Sequence, residues 1–282
     1  MRLRAPVIDD APAVLEVLIA RDIADTGKPD YTLEDILQEW RLAEVDLGED
    51  ARVVERDGQL VGYGIVRRPG AIVAVDPRFD DPKVGRALLD WSEQRARQQG
   101  RDTLRVHVGA ADVAACELLA EAGYAVLRSY WRMGRALDGS ARPGRLPEGI
   151  RMRPLDVALD GAAVHALDDL AFSTVPDYNP STLEQFREQH LVAHDLDPGL
   201  SGIAEAGGAI VGFVLTRVWS EERAGFVDVL AVHPDHQGRG LGSALLRQAF
   251  TVYAAAGLRE AQLGVASDNP RAFELYERVG MR

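Results

Sequence analysis

"AVHPDHQGRGLGSALL", Ala231 to Leu246, runs from a strand-like stretch into a helix-like one and sets glycine at 238, 240 and 242 between them. Alternating glycines admit backbone conformations closed to other residues and remove side chains that would block a ligand. A helix opening at such a turn has several N–H groups without intrahelical partners, backed by the positive end of the helix, and this arrangement suits an anion. Arg239 adds a cation, and Gln237 and Ser243 add donors. A tight turn needs one glycine, so three around an arginine favour phosphate binding. The turn has no lysine, which argues against a P-loop. Gly238-Arg-Gly240 is followed by Ser243 where a dinucleotide fingerprint needs glycine.

The same pattern occurs earlier in the chain. "AVDPRFDDPKVGRALL" (Ala74 to Leu89) aligns without a gap, Pro77 falling on Pro234 at an offset of 157. That offset also pairs Gly100 with Gly257, Leu118 with Leu275 and Gly123 with Gly280. Upstream the offset is 150: Thr32-Leu-Glu-Asp matches Thr182-Leu-Glu-Gln, and "LVGYG" at Leu60 matches "IVGFV" at Ile210. The second repeat therefore gains seven residues around "VWSEERAGF". "DGSARPGRLPEG" (Asp138 to Gly149), polar and rich in Gly and Pro, reads as a linker. The expected domains are 1–137 and 150–282, joined by 138–149.

Within the second repeat, "IRMRPL", "SGIAEA", "AIVGFVLTRV", "AGFVDVLAV" and "EAQLGVAS" read as strands. "AAVHALDDLAF", "TLEQFREQHL", the run after the glycine turn and "PRAFELYERVG" read as helices, with Thr182 as a cap and Pro270 in a first turn. Leu241, Leu245, Ala249, Val252 and Tyr253 recur at helical spacing until Gly257. The expected fold is α/β (layered α+β), two tandem domains with a central mixed, mostly antiparallel sheet flanked by helices. The first repeat ends in "YAVLRSYWRMGRAL", read as a last strand, whereas the second reaches "GMR" without a counterpart. The second sheet is expected to lack its last strand or to take one from another element.

Lys and Arg number 32 against 44 Asp and Glu, a net charge of −12, which argues against nucleic acid as a partner. It suits a cationic substrate or plain solubility. No apolar run is long enough to span a membrane, the N-terminus lacks a signal-peptide pattern, and the single Cys116 fits a reducing cytoplasm as a buried, inert thiol. No His-Glu-x-x-His pattern accompanies His190 and His194, so no metal is expected and these histidines read as a polar helix end.

"VHPDHQGRGLGSALL" resembles the Q/R-x-x-G-x-G/A acetyl-CoA signature of the GNAT acyltransferase superfamily, carried by Gln237, Gly240 and Gly242. "DNPRAFELYERVGM" resembles that family's second motif. The tandem layout is similar to the actinobacterial mycothiol synthase-like branch. The resemblance implies an N-acetyltransferase that binds acetyl-CoA through Gln237, Gly238, Arg239, Gly240, Leu241, Gly242 and Ser243. It also implies that backbone groups of Leu230, Ala231 and Val232 face the pantetheine, and that Asn269, Phe273 and Tyr276 line the coenzyme. Tyr276 takes the family's place for the acid that protonates the leaving thiolate. The family's basic Glu position holds Phe226; Asp228, on the same strand face, is a candidate base set against a structural hydrogen-bonding role, with Glu221 and Glu222 behind it.

In the first repeat the cradle reads Asp80-Asp81-Pro82-Lys83-Val84-Gly85, and Leu119 and Asp112 stand where the second has Tyr276 and Asn269. Carboxylates repel a pyrophosphate and proline deletes an amide donor, so the first domain is expected to be a non-catalytic scaffold or cleft wall. The leading reading is acetylation of a small-molecule primary amine. A non-catalytic acyl-CoA sensor and a protein N-terminal or lysine acetyltransferase are the alternatives. The sequence leaves the acceptor's identity and the oligomeric state open.

Overall fold

The computed structural model describes residues 1–68, 70–79, 81–139, 142–175 and 178–282. It divides into two units, Met1–Val126 and Leu127–Arg282. In the first the order is β1 (Arg2–Arg4), α1 (Ala11–Thr26), α2 (Leu33–Glu39), α3 (Leu47–Asp50), β2 (Ala51–Arg56), β3 (Gln59–Val66), β4 (Ala71–Val75), α4 (Pro82–Gln98), β5 (Val106–His107) and α5 (Val113–Glu121). The second has β6 (Tyr130–Ala136), β7 (Ile150–Pro154), α6 (Val157–Phe172), α7 (Leu183–Phe186), β8 (Gly202–Ala206), β9 (Ala209–Trp219), β10 (Ala224–Val232), α8 (Leu241–Ala255), β11 (Glu260–Ala266) and α9 (Pro270–Arg278).

Among the described residues the first sheet runs β1-β2-β3-β4-β5 and the second β6-β11-β10-β9-β8-β7. Pairing is antiparallel except at β4–β5 and β10–β11, as expected for a mixed, mostly antiparallel sheet. The duplication extends to side-chain contacts. Arg4 bridges Asp10 at 2.6 Å and Glu55 at 3.2 Å, tying β1 to the start of α1 and to β2. Arg153 does the same for β7 and β8 with Asp160 at 2.6 Å and Glu205 at 2.8 Å. The guanidinium beside each aspartate holds Asp10 and Asp160 below the usual carboxylate range. Thr32 and Thr182 close matching capping boxes with Asp35 and Gln185.

The second unit packs apolar side chains on both faces of its sheet. On one, α8 buries Leu241, Leu245, Ala249, Phe250 and Tyr253 at the predicted helical spacing. On the other, α6 and α7 cover Phe213, Leu215, Val229 and Ala231 with Val164, Leu167 and Phe186. Each fully buried aromatic or leucine contributes about 1.5–3 kcal/mol. The "TLEQFREQHL" helix departs from expectation: after α7 it widens into a π-helical turn, Arg187–Leu191.

Two boundary expectations are corrected. Strand β6 lies in the second unit, paired antiparallel along all of β11 from Glu260↔Ala136 to Ala266↔Tyr130. The break therefore falls at 126/127 instead of 137, and 138–149 connects β6 to β7 within one unit; Ser140 and Ala141 of that stretch lie outside the described residues. Strand pairing decides this, because β11 offers an edge that β6 satisfies: Met133 is buried in the core, and Arg135 stacks on Phe250 at 5.4 Å and donates to Val279 O. Of the two expectations for the second sheet's last strand, absence or supply by another element, the second holds: a segment from the first repeat takes the position. Cys116, expected buried, is half-buried on α5. No helix is long and apolar enough to cross a membrane among the described residues.

Candidate active site

Strands β10 and β11 run parallel only from Ala224↔Glu260 to Val227↔Leu263, and then part. The next residue, Asp228, is a bulge: Val227 faces Thr216 and Val229 faces Leu215 on β9, leaving Asp228 as the extra residue. Beyond it β10 keeps β9 on one edge and, among the described residues, has no strand on the other. His233 N–H donates to Val211 O at 2.9 Å. Antiparallel alternation then directs the main-chain groups of Val229 and Ala231 at β9, and those of Leu230 and Val232 at the open edge. Ala231, expected to face the pantetheine through its backbone, is thus corrected to a ladder residue, while the main-chain groups of Leu230 and the N–H of Val232 face the open edge; Val232 O accepts from Gln237.

The glycine turn follows directly. Gly238 and Gly240 have φ of +72° and +85°, and a Cβ on either would meet no atom within 4 Å. Gly240 is the N-cap of α8 and brings no side chain to the cap. Among the described residues the N–H groups of 238–243 have no main-chain acceptor, whereas Ala244 N donates to Gly240 O at 3.0 Å. Gly242 has a different function: a Cβ there would sit 3.3 Å from Leu275, so glycine lets α8 approach α9. Leu241 is buried, Ser243 is half-buried and Arg239 is exposed. Gln237 donates from Nε2 to Val232 O at 3.0 Å, which fixes the turn against the end of β10. His233 and His236 are half-buried and meet edge to face at 5.9 Å.

The equivalent turn in the first unit is closed by its own side chain. Asp81 caps α4, accepting from Lys83 N at 3.0 Å, and Pro82 removes a donor. Asp80, part of the same sequence expectation, lies outside the described residues.

Tyr276 sits on α9 half-buried against the α8-side core. Its hydroxyl has no partner among the described residues, and burial pushes its pKa up to about 12. Phe273 is exposed. Asn269 caps α9, accepting from Ala272 N at 3.0 Å, as Asp112 caps α5 with Ala115 N at 3.0 Å. Asn269 is a helix cap in a position that both units retain.

Asp228 is corrected as well. Its Oδ2 accepts from His190 Nδ1 at 2.7 Å, and its Oδ1 lies 3.1 Å from Arg217 Nε. Burial opposes ionisation, but the His190 hydrogen bond and charge and the Arg217 charge outweigh it and hold the carboxyl below its ordinary range. A carboxylate so held is a weak base. Arg217 also reaches Asp195 at 3.1 Å and Gln189 O at 2.7 Å. His190 belongs to the π-helical turn and lies against Phe186 with ring centroids 4.9 Å apart; His165 flanks the same ring at 5.2 Å. Sequence reading missed the His190 pairing, whose only signal was an unassigned histidine beside an irregular helix end. On α6, burial raises Asp168 to about 6, in the field of His190, Asp169, His165 and Asp228. Phe226 stacks on Trp219 at 4.6 Å, with Arg132 5.1 Å above the indole. Glu221 and Glu222 are exposed at a turn.

A model of the acetyltransferase (GNAT) family matches residues 17–124 and 163–281. The chain is 34% identical over 230 residues to the mycothiol acetyltransferase of Streptomyces coelicolor, covering 79% of this chain and 73% of that one. It is 31% identical over 291 residues to the mycothiol acetyltransferase of Streptomyces bingchenggensis, covering 98% and 92%. A GCN5-related N-acetyltransferase from Sphaerobacter thermophilus superposes with a TM-score of 0.81 at 30% identity, over 100% of this chain and 91% of the other. A tandem GNAT protein from the clavulanic acid biosynthesis pathway shares the fold, with a TM-score of 0.76 at 18% identity over 100% and 94%.

Proposed function

The chain belongs to the GNAT acetyltransferase family, and on that premise we propose that its second unit moves the acetyl group of acetyl-CoA to the primary amine of a small molecule, with Tyr276 as general acid. The observation that carries this reading is the open N-terminus of α8, placed at the end of a β10 edge that has no strand partner beyond Val227. The unpaired amides of 238–243 fit the diphosphate of the coenzyme, and Arg239 is free to add charge. The edge groups of Leu230 and the N–H of Val232 fit an extended amide-bearing arm. The donor supplies a thioester carbonyl for an amine to attack. One well-placed N–H on its oxygen is worth about 2.7–4 kcal/mol.

Tyr276 keeps its proton at neutral pH because burial holds it near 12. A free thiol titrates near 8.5, so delivery to the departing sulfur needs that sulfur desolvated alongside it, which raises the thiol in turn. The relatives' name supports a compact acceptor, and Asp168 and Asp169 on α6 give an incoming cationic amine an attractive field. The first unit is read as a scaffold without turnover: Asp81 occupies the Lys83 amide at the helix N-terminus, where the α8 turn has no side-chain cap.

The test is release of CoA thiol from acetyl-CoA by the whole chain with a panel of primary amines, including the deacetylated form of mycothiol. Amine-dependent release supports the reading. Binding of acetyl-CoA without release supports a sensor, and release with peptide amines alone supports protein acetylation; either result overturns it.

A further inference from the structure

Resting on amine acetylation in the second unit, we propose that His190 is the base that takes the amine proton, with Asp228 as its positioning residue.

Asp228 accepts from Nδ1, so the neutral ring carries its lone pair on Nε2. Among the described residues Nε2 has no hydrogen-bond partner, and the side chain is 26% exposed. The partner carboxylate is the bulge residue next to Val227, the last point at which β10 and β11 are joined. The imidazole therefore stands at the fork where the strands part. It reaches the fork from the α6–α7 face, through its contact with Phe186, whereas Tyr276 packs on the α8–α9 face. Base and acid thus come from the helices on the two faces of one sheet.

The duplication supplies an internal control. At the shared offsets Trp40 stands for His190 and Ala71 for Asp228, while Arg67 matches Arg217. Trp40 is buried and donates to Tyr63 OH at 2.8 Å, and Arg67 pairs with Glu39. The fold thus forms without the His–Asp pair, and the unit that lacks the pair is the one whose cradle is closed by Asp81. The π-helical turn bearing His190 also has no counterpart in α2, which stays α-helical to Glu39. Such widened turns recur at functional sites.

The step balances. A cationic amine first releases one proton to solvent; the neutral nitrogen then forms a bond to the acyl carbon, its proton passes to His190 Nε2, and the carbon–sulfur bond breaks. The thiolate takes the Tyr276 proton, and solvent returns the His190 proton to the phenolate. Charged neighbours of His190 are Asp228 on β10, Arg217 on β9, and Asp168 on α6, with His165 beyond Phe186; the two carboxylates stabilise the imidazolium formed.

The experiment compares wild type, His190→Gln, His190→Ala and Asp228→Asn at saturating acetyl-CoA with the amine panel, alongside calorimetry of acetyl-CoA binding. His190→Gln is expected to lose about 100-fold or more in kcat with the acetyl-CoA Kd kept within about threefold. Added imidazole should restore part of the His190→Ala turnover, and Asp228→Asn should lower kcat without raising KM for acetyl-CoA. Should His190→Ala fail to fold, His190→Gln carries the test. An inert wild type overturns the transfer and this assignment with it. An active wild type matched within about threefold by His190→Gln overturns the role of His190 only, as does a folded His190→Ala that imidazole leaves dead.

Discussion

Replacing Gly240 with alanine separates backbone strain from ligand geometry. Gly240 holds φ +85°, and its Cβ would meet no atom of the protein within 4 Å. The folding cost is therefore the left-handed conformation itself, about 1–2 kcal/mol for a residue with a Cβ. In a unit the size of Leu127–Arg282 that lowers Tm by about 2–8 °C. If the amides of 238–243 seat the diphosphate, the new methyl crowds that seat, and acetyl-CoA should bind at least about tenfold more weakly, roughly 1.4 kcal/mol. Gly257 provides the matched control. It lies beyond the other end of α8 at φ +82°, and its Cβ would make ordinary contact with Arg223 at 3.5 Å. Gly257→Ala should lose similar Tm and leave the affinity intact. Calorimetry with acetyl-CoA and thermal melts of the three proteins decide the matter. If both variants melt early and bind acetyl-CoA like wild type, the turn does not hold the diphosphate.

Three further outcomes are expected. Tyr276→Phe should cut kcat by about 100-fold or more while acetyl-CoA affinity stays the same; unchanged turnover in a thiol-release assay removes its role as acid. Acetyl-CoA should bind with a stoichiometry of one per chain, and a calorimetric value of two would show the first cradle open. Asp168→Asn should stabilise the protein in a pH-dependent way. The folded carboxyl titrates near 6 against the ordinary 3.8, so the native state binds more protons between those values and stability falls as pH rises through them. The penalty is absent below 3.8 and reaches about 3 kcal/mol above 6. The variant should therefore gain on wild type in melts at pH 8 and match it at pH 3.5; a gain that grows toward low pH refutes the burial argument.

The sequence carried the duplication, the elements around the glycine turn and the two left-handed glycines, because all of these are local: spacing, capping and φ are set within a few residues. It carried the fate of the first cradle for the same reason, since Asp81 caps the helix that it precedes. What it hid were choices made between distant segments. The His190–Asp228 contact spans 38 positions and needs both a π-helical turn and a β-bulge, neither of which leaves a periodic trace. The destination of Tyr130–Ala136 depends on which sheet offers an edge, and residue alternation is the same in either case. Asn269 shows a local signal left unused: its cap was readable from Asn-Pro ahead of a helix.

The position of β6 constrains how the chain is made. The strand leaves the ribosome with the first repeat, but its partner β11 is synthesised roughly 120 residues later. At about 5–20 residues per second that is a wait of roughly 6–25 s. Throughout it Tyr130 and Trp131 lack their partner strand, on a nascent segment that presents aromatic side chains and unpaired backbone. Maturation of the second unit is thus tied to an element that must be kept from other strands until its own is complete.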